Sequence, residues 1–250
     1  PSSLANNTIA AINVDATSQL NVAGDLWLYQ GTFTNANFGL GSTAANGMLT
    51  FKNSLNLASY NNNTASLSVG AASAATMSYN GNLYMARGNT STGTLNIDGN
   101  HTMTFAGTDN RVGADQDRSK ATISLTNGAK LNVGNLTMGQ DYGQTLADVN
   151  LTLAGTSQLN VTGGLTFSGN LNTTGSAWQV NATGDLNLRG GTTGAQRDLA
   201  ANTVRTYALP LTSTPTNGMV SFKNSLTVAN QTWQNVDLTI GSGSASTQSY

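Results

Sequence analysis

The chain alternates apolar and polar residues over short stretches, which are separated by Gly, Asn, Asp or Ser. A recurring phrase has the form apolar-x-apolar, a Gly or Asn step, and apolar-x-apolar again, as in QLNVAGDLWL from Gln19 and QLNVTGGLTF from Gln158. Alternation of this kind places the apolar side chains of a strand on one side of it. The pattern therefore predicts many short strands joined by tight turns.

The phrase returns at a nearly constant interval. Between successive first core positions, the residue number advances by 29, 28, 26, 28, 28, 21 and 40. These core residues are Leu20, Leu49, Met77, Met103, Leu131, Leu159, Val180 and Val220. A third apolar-x-apolar pair usually precedes the phrase, and it begins at Ile12, Leu67, Leu95, Ile123 and Leu151. Each short repeat is therefore predicted to contain three strands.

Three short strands cannot bury their apolar sides alone, but the same units stacked coil on coil can. We predict an all-β fold, a parallel β-helix (β-solenoid) that runs continuously through residues 1–250, with about 28 residues and three strands per coil and about nine coils. The core residues named above would line the interior. Their outward neighbours would form a polar ladder of Asn21, Thr50, Ser78, Thr104, Asn132, Asn160 and Asn181. A β-sandwich, which also has many short strands, is the alternative.

A longer repeat contains the shorter one. Residues 46–79 align without a gap with residues 217–250, and 16 of the 34 positions are identical. The two segments differ by 171 in residue number, and six steps of the short repeat make up this offset. With strands about 4.8 Å apart, the long repeat would span about 29 Å of the solenoid axis.

Composition supports a strand-rich, near-neutral molecule. The chain has 32 Asn, 36 Thr, 23 Ser and 28 Gly, charged residues are 8%, and the net charge is −1. Thr favours strands, whereas Asn and Gly favour turns. The charge balance gives no electrostatic footprint for nucleic acid. No apolar run approaches the roughly 20 residues that a membrane helix needs, and without cysteine there is no disulfide or thiolate metal site.

Two segments resemble a known family. STGTLNIDGNHTMTF from Ser91 and KATISLTNGAKLNVGNLTMG from Lys120 are similar to the passenger repeats of bacterial autotransporter-type adhesins and related giant surface proteins. The resemblance covers most of the chain outside residues 190–216. It implies a right-handed parallel β-helix carried outside the cell, and it implies no particular ligand.

The sequence offers little to catalysis. An enzyme on this scaffold would act on polysaccharide and would need clustered carboxylates or a base. The one histidine, His101, lies between LNI and TMTF, and we expect it to be a solvated turn residue. No serine triad, phosphate loop or H-E-x-x-H motif occurs. We therefore expect no enzyme activity and no cofactor.

Two segments are predicted to be irregular loops, residues 107–120 and 190–216. In the first, Asp115, Asp117 and Ser119 have the spacing that opens a calcium loop, with Asp109 nearby, although Lys120 replaces the turn glycine and the closing Glu is missing. A solvated loop with internal ion pairs is the alternative.

The second segment contains two of the three prolines together with Arg197 and Arg205. Because proline is excluded from interior ladders, we predict a loop or a short edge piece there. Recurring with the long repeat, it would be a candidate for lateral contact. A tolerated insertion is the alternative.

The outward positions of the phrase carry two aromatic residues, Trp27 and Tyr84, which would lie on one face two coils apart. Such side chains can stack on sugar rings or pack against a neighbouring fibre. We expect a structural function, as a segment of a long extracellular repeat protein that forms a rigid stalk, fibre or filament and self-associates end to end or laterally. An adhesin that binds glycan or a host surface through Trp27, Tyr84 and the irregular loops is the alternative, and an ice-binding solenoid is a lesser one.

Overall fold

The computed structural model describes residues 12–34, 37–114, 119–139, 148–189, 204–228, 235–241, 244 and 249. Within these ranges all regular elements are β-strands. In chain order they are β1 (Gln19–Asn21), β2 (Leu26–Leu28), β3 (Gly31–Thr34), β4 (Gly39–Gly41), β5 (Met48–Thr50), β6 (Leu55–Leu57), β7 (Thr64–Val69), β8 (Thr76–Tyr79), β9 (Leu83–Met85), β10 (Thr92–Asp98), β11 (Thr102–Phe105), β12 (Asn110–Val112), β13 (Lys120–Thr126), β14 (Lys130–Val133), β15 (Leu136–Met138), β16 (Asp148–Ala154), β17 (Gln158–Val161), β18 (Leu165–Phe167), β19 (Asn170–Thr174), β20 (Gln179–Ala182), β21 (Leu186–Leu188), β22 (Val204–Leu209), β23 (Leu211–Thr212), β24 (Met219–Ser221), β25 (Leu226–Val228) and β26 (Asn235–Ile240).

These strands stack into three faces, and every strand pairing in the described ranges is parallel. The first face holds β1, β5 and β4, then β8, β11, β14, β17, β20, β24 and β23. The second face holds β2, β6, β9, β12, β15, β18, β21 and β25. The third face holds β3, β7, β10, β13, β16 and β19, followed by the pair of β22 and β26. The predicted β-solenoid with three strands per coil is confirmed. The second face counts eight coils over the described residues, against the nine or so expected.

The core residues line the interior as predicted, with one exception. Met103 pairs with Met77 on one side and with Leu131 on the other, and both neighbours are completely buried. Leu159, Val180 and Val220 continue the column. The prediction that Leu20 lies inside is wrong, since its side chain is 43% exposed. Among the described residues, the strand that carries it, β1, pairs with β5 alone, and no second described strand covers its other edge.

Aromatic rings continue the interior of the first face. Phe51 and Tyr79 stack with ring centroids 3.8 Å apart and an angle of 5° between their planes, and Phe105 lies 5.1 Å beyond Tyr79. All three are buried. Burial raises the pKa of the Tyr79 hydroxyl far above its ordinary value of 10.0, because the anionic form would lose its hydration. These rings form part of the dry core that links successive coils.

The first face departs from simple stacking at β4. This strand pairs with β5 in the register Leu40 to Leu49, on the side opposite β1. Its other edge faces the start of the next coil, where the Ala74 amide donates to the Leu40 carbonyl at 2.9 Å. β4 therefore lies between β5 and the next coil, although it precedes β5 in sequence, and we call it a wedge strand. Leu49 contacts Leu40 of this strand and not Met77, the partner that was predicted.

The same wedge recurs one long repeat further along the chain. β5, β6 and β7 correspond residue for residue to β24, β25 and β26, and β23 pairs with β24 as β4 pairs with β5. The amide of Leu40 donates to Ser73 Oγ, and the amide of Leu211 donates to Ser244 Oγ. Counted on the second face, β6 and β25 are six strands apart. The long sequence repeat is therefore a structural repeat of six coils.

The two segments predicted to be irregular contain strands. Within residues 107–120, β12 belongs to the second face. Within residues 190–216, β22 pairs along its length with β26, and β23 joins the first face. A loop or a short edge piece was predicted for residues 190–216. β23 is a two-residue strand at the edge of the first face, whereas β22 is a six-residue strand paired with β26. Pro210 causes no break because it lies between β22 and β23, and its carbonyl still accepts a bond from the Val220 amide. Residues 12–14, where a third strand was predicted, form none.

Candidate binding surface

Trp27 and Tyr84 lie on the second face, in the outward column that the sequence predicts for them. Trp27 pairs with Asn56, and Asn56 pairs in turn with Tyr84. The alternation of LWL and LYM turns the flanking leucine and methionine inward, where they are buried, and leaves the aromatic residue outside. One coil lies between the two aromatic residues, so they do not form a stacked pair.

Trp27 instead belongs to a cluster of three exposed rings, which we call the aromatic surface: Trp27, Tyr29 and Tyr60. Their centroids are 5.8 Å apart for Trp27 and Tyr29, 6.1 Å for Trp27 and Tyr60, and 5.1 Å for Tyr29 and Tyr60. The side chains remain 41%, 41% and 55% exposed. Each ring thus packs against the others at ordinary aromatic distances while presenting apolar area to solvent.

Sequence reasoning missed Tyr29 and Tyr60. Tyr29 follows Trp27 by two residues, and period-2 alternation would have placed both on the outer side. Tyr60 lies in the turn after β6, and it could be found only by aligning that turn with the end of β2, one coil earlier. The signal was therefore present for Tyr29 but weak for Tyr60, because turn residues have no fixed side.

Tyr84 forms a separate contact beside this surface. The guanidinium carbon of Arg87 lies 4.4 Å from the Tyr84 ring centroid, within the range of a cation–π interaction. The Asn82 side-chain amide donates to the Tyr84 hydroxyl at 3.0 Å. Tyr84 is therefore held in place by its own neighbours and is half-buried.

Asn56 lies between Trp27 and Tyr84 in the same outward column. It is 2% exposed, although outward positions of the column are otherwise at least partly accessible. Its Nδ2 atom is buried and has no hydrogen-bond partner among the described residues. A buried unsatisfied donor costs about 1–3 kcal/mol, so Asn56 is an uncommon choice for this position.

A shallow cleft of about 380 Å³ adjoins the aromatic surface. Its lining is Gln30, Gly31, Thr32, Asn62, Thr64 and Ser66. Gln30 directly follows Tyr29, and Asn62 follows Tyr60 by two residues. All the lining side chains are uncharged, and they offer both hydrogen-bond donors and acceptors.

Most of the outward side chains of the first face form the predicted ladder. Among the described residues the ladder is interrupted at Ser78, whose side chain bonds neither Thr50 nor Thr104. Asn132 donates to Thr104 at 3.0 Å, Asn160 to Asn132 at 2.8 Å, and Asn181 to Asn160 at 2.9 Å. Ser221 donates to Asn181 at 3.0 Å and extends the ladder to β24. At the other end Thr50 donates to Asn21 at 2.8 Å. Side-chain hydrogen bonds thus join successive coils in addition to the backbone hydrogen bonds.

The charged candidates are not gathered into one site by the described residues. Asp109 forms an ion pair with Arg111 at 2.7 Å, and both side chains are partly exposed. Asp115, Asp117 and Arg197 lie outside the described residues, and only the backbone of Arg205 is described, in β22. Within the described ranges, no three His, Cys, Asp or Glu side chains lie close enough together to hold a metal ion.

His101 contacts two coils. Its Nδ1 lies 2.7 Å from the Asp98 carbonyl oxygen, and its Nε2 lies 3.3 Å from the Ser73 carbonyl oxygen. Asp98 belongs to the turn of His101 itself, whereas Ser73 belongs to the preceding coil. The ring therefore links neighbouring coils, and its side chain is partly exposed.

Comparison with known proteins yields no match: no protein-family model, no curated protein and no solved structure is significantly similar to this chain. A search of the described residues for a helix long and apolar enough to cross a membrane finds none.

Proposed function

We propose that this chain is a structural segment of a long extracellular repeat protein, in which the solenoid serves as a rigid stalk, fibre or filament. The observation that carries the proposal is the recurrence of the six-coil unit. The wedge strand, its serine contact and three further strands return one long repeat further along the chain. A unit that repeats along one axis is suited to setting length, because each copy adds the same rise.

The mechanism is mechanical. Parallel backbone ladders run through the second face from β2 to β25 without a break. The apolar interior and the outward Asn ladder join the same coils. Unfolding one coil exposes the faces of both neighbours, so the stack resists local opening.

Assembly with further copies is part of the proposal. Asn, Thr and Ser make up 91 of the 250 residues, and the net charge is −1. Little charge repulsion therefore opposes side-by-side packing. Strand edges at the ends of a solenoid can also pair with another subunit.

Immunogold electron microscopy of cells that produce the protein tests this function. An antibody raised against this chain should label elongated stalks or fibres outside the cell. The same antibody, adsorbed with the purified chain, should label nothing. Label confined to the cell interior, or to compact particles, would overturn the proposal.

A binding role, as an adhesin, is the second candidate function. It is favoured by one specific observation, the three exposed rings of the aromatic surface. Stalk and adhesin are compatible, since a rigid rod can display a binding surface at a fixed distance.

A further inference from the structure

We propose that the aromatic surface of Trp27, Tyr29 and Tyr60, together with the adjoining cleft, binds a neutral oligosaccharide. The proposal deepens the second candidate function and does not rest on the first. It combines two observations, a cluster of exposed rings and a neighbouring cleft whose described lining residues carry no charge.

The rings provide apolar platforms. Trp27, Tyr29 and Tyr60 keep two-fifths or more of their side chains exposed although they pack against one another. Elsewhere the large apolar side chains of the described residues are mostly buried. A sugar ring presents C–H groups on its faces, and these pack favourably on the electron-rich faces of aromatic rings. Contiguous exposed apolar area of this kind is a mark of a binding site.

The cleft provides the complementary hydrogen bonds. Gln30 and Asn62 offer amide donors and acceptors, and Thr32, Thr64 and Ser66 offer hydroxyls. A sugar carries donors and acceptors in similar number around its edge. No charged side chain of the described residues lines the cleft, so an anionic or cationic ligand would lose hydration there without gaining a partner of opposite charge. The lining therefore favours a neutral, hydroxyl-rich ligand.

The two parts are joined by short pieces of chain. Tyr29 leads into the cleft through Gln30, the residue before β3, and Tyr60 leads into it through Asn62, two residues before β7. Gln30 donates to Asn63 at 3.4 Å across the coils. Because β3 and β7 pair in register, platform and cleft are set at a fixed separation before any ligand binds. Preorganisation of this kind lowers the entropic cost of binding.

Gly88, in the next coil, packs closely against the turn that carries Tyr60. A Cβ atom at Gly88 would lie 2.0 Å from the carbonyl carbon of Tyr60 and 2.3 Å from the Asn61 amide nitrogen. The turn that carries Tyr60 therefore rests directly on the turn of the next coil. This close approach fixes the backbone of Tyr60.

The surface is local, unlike the features that recur with the long repeat. Tyr60 lies inside the repeated segment, yet the corresponding residue of the second copy is Gln231. The remaining members of the Trp27 column beyond Tyr84 are Arg111, Thr137, Thr166, Asn187 and Thr227. Stacking of coils thus does not require rings at these positions. The aromatic rings of this surface are therefore better explained by ligand binding than by a requirement of the solenoid fold.

Isothermal titration of the whole chain with neutral oligosaccharides tests the proposal. The probes are cello-, chito-, manno- and maltohexaose, with an oligogalacturonate as the anionic comparison. We expect at least one neutral probe to bind and the anionic one to bind more weakly or not at all. Trp27→Ala and Tyr60→Ala should each raise Kd about tenfold, since each removes one stacking platform.

A control variant separates the loss of a stacking platform from the general loss of exposed apolar area. Ile240→Ala, which removes an exposed apolar side chain outside the aromatic surface, should stay within about twofold of the wild-type Kd. All variants should keep the circular dichroism of the wild type. Failure of every neutral probe to bind, or unchanged binding by Trp27→Ala, would overturn the proposal. So would concentration-dependent dimers that Trp27→Ala abolishes, since the surface would then be a contact between copies. None of these results bears on the stalk function, which the antibody labelling tests separately.

Discussion

Side-chain amides hold neighbouring coils together where a charged surface would use ion pairs. Asn160 is the clearest case, because it donates to Asn132 at 2.8 Å and accepts from Asn181 at 2.9 Å. Its side chain is half-buried, so water competes only in part for these bonds. A hydrogen bond in this setting contributes about 0.5–1.5 kcal/mol.

Asn160→Ala should lower the free energy of unfolding by about 1–3 kcal/mol, since two bonds are lost and both neighbours lose a partner. Thr166→Ala is the matched control. Thr166 points outward from the same coil, is also half-buried, and makes no side-chain hydrogen bond in the described part of the chain. Its loss should cost no more than about 0.5 kcal/mol. Urea unfolding followed by circular dichroism measures both, and equal effects would contradict the ladder.

Asp98 links two coils through its carboxylate. Thr126 donates to it at 2.5 Å and Asn127 at 2.7 Å, both from the following coil. These two hydrogen bonds, with Thr126 the larger, hold the pKa of Asp98 below its ordinary value of 3.8. Because the native pKa is lowered, the carboxylate contributes stability above the ordinary value, and this contribution is lost as the pH falls through the native pKa.

Asp98→Asn should therefore be less stable than the wild type at pH 7, because charge-assisted hydrogen bonds become neutral ones. The difference should shrink as the pH is lowered below the ordinary value of 3.8 and through the lowered native pKa, because the wild-type carboxyl then becomes protonated itself. Urea unfolding at a series of pH values gives this difference directly. A difference that stays constant over this range would show that the carboxylate charge plays no part.

For individual side chains, the sequence predicted the polar ladder of the first face but not the full aromatic surface. The ladder follows from period-2 alternation and the coil interval alone, which together place Asn132, Asn160 and Asn181 in one column. Tyr60 lies in a turn, and the direction of a turn side chain depends on local backbone angles that alternation does not describe. Leu20 departs from the prediction for a different reason, because burial depends on what covers a strand as well as on its pattern.

Turns between the first and second faces stack as closely as the strands do. A Cβ atom at Gly134 would lie 2.5 Å from the Gly107 carbonyl oxygen, and one at Gly184 would lie 2.8 Å from the Gly163 carbonyl carbon. These contacts are to backbone, which can move only if the coils separate. The glycines of the phrase therefore set the spacing of coils.

Gly134→Ala should destabilise the solenoid by about 1–3 kcal/mol, as for overpacking elsewhere in proteins. Gly24→Ala is the control, since Gly24 occupies the same turn of the first coil and a Cβ atom there would meet no described atom within 4 Å. It should be neutral or slightly stabilising, because alanine restricts the unfolded chain. Thermal unfolding of both variants makes the comparison. If Gly134→Ala were as stable as the wild type, turn stacking would not limit coil spacing.

The regular strands could be predicted, whereas the wedge strand could not. Leu131 and Val133 belong to an alternating phrase, and the interval between repeats predicts their partners in the neighbouring coils. The observed register agrees with this prediction. In β4, the run Gly39, Leu40 and Gly41 has one apolar residue between two glycines, which is typical of a turn. Its pairing also reverses the chain order, because β4 comes before β5 yet lies beyond it. Neither the glycine-rich composition of β4 nor its pairing order produces a periodic pattern in the sequence, so the strand could not be predicted.

For the whole molecule, the long repeat connects sequence to shape. Corresponding residues of its two copies occupy equivalent strands in β5 and β24, and the second face advances six strands between them. At about 4.8 Å per strand, each repeat adds about 29 Å to the axis. A chain with several such repeats should grow in length alone, with a constant cross-section.

Small-angle X-ray scattering of chains with one, two and three tandem copies of the long repeat measures this growth. We predict that the longest dimension increases by about 29 Å with each copy while the cross-sectional radius stays constant. A radius of gyration that grows as for a compact globule, or a longest dimension that grows irregularly, would contradict the six-coil structural repeat.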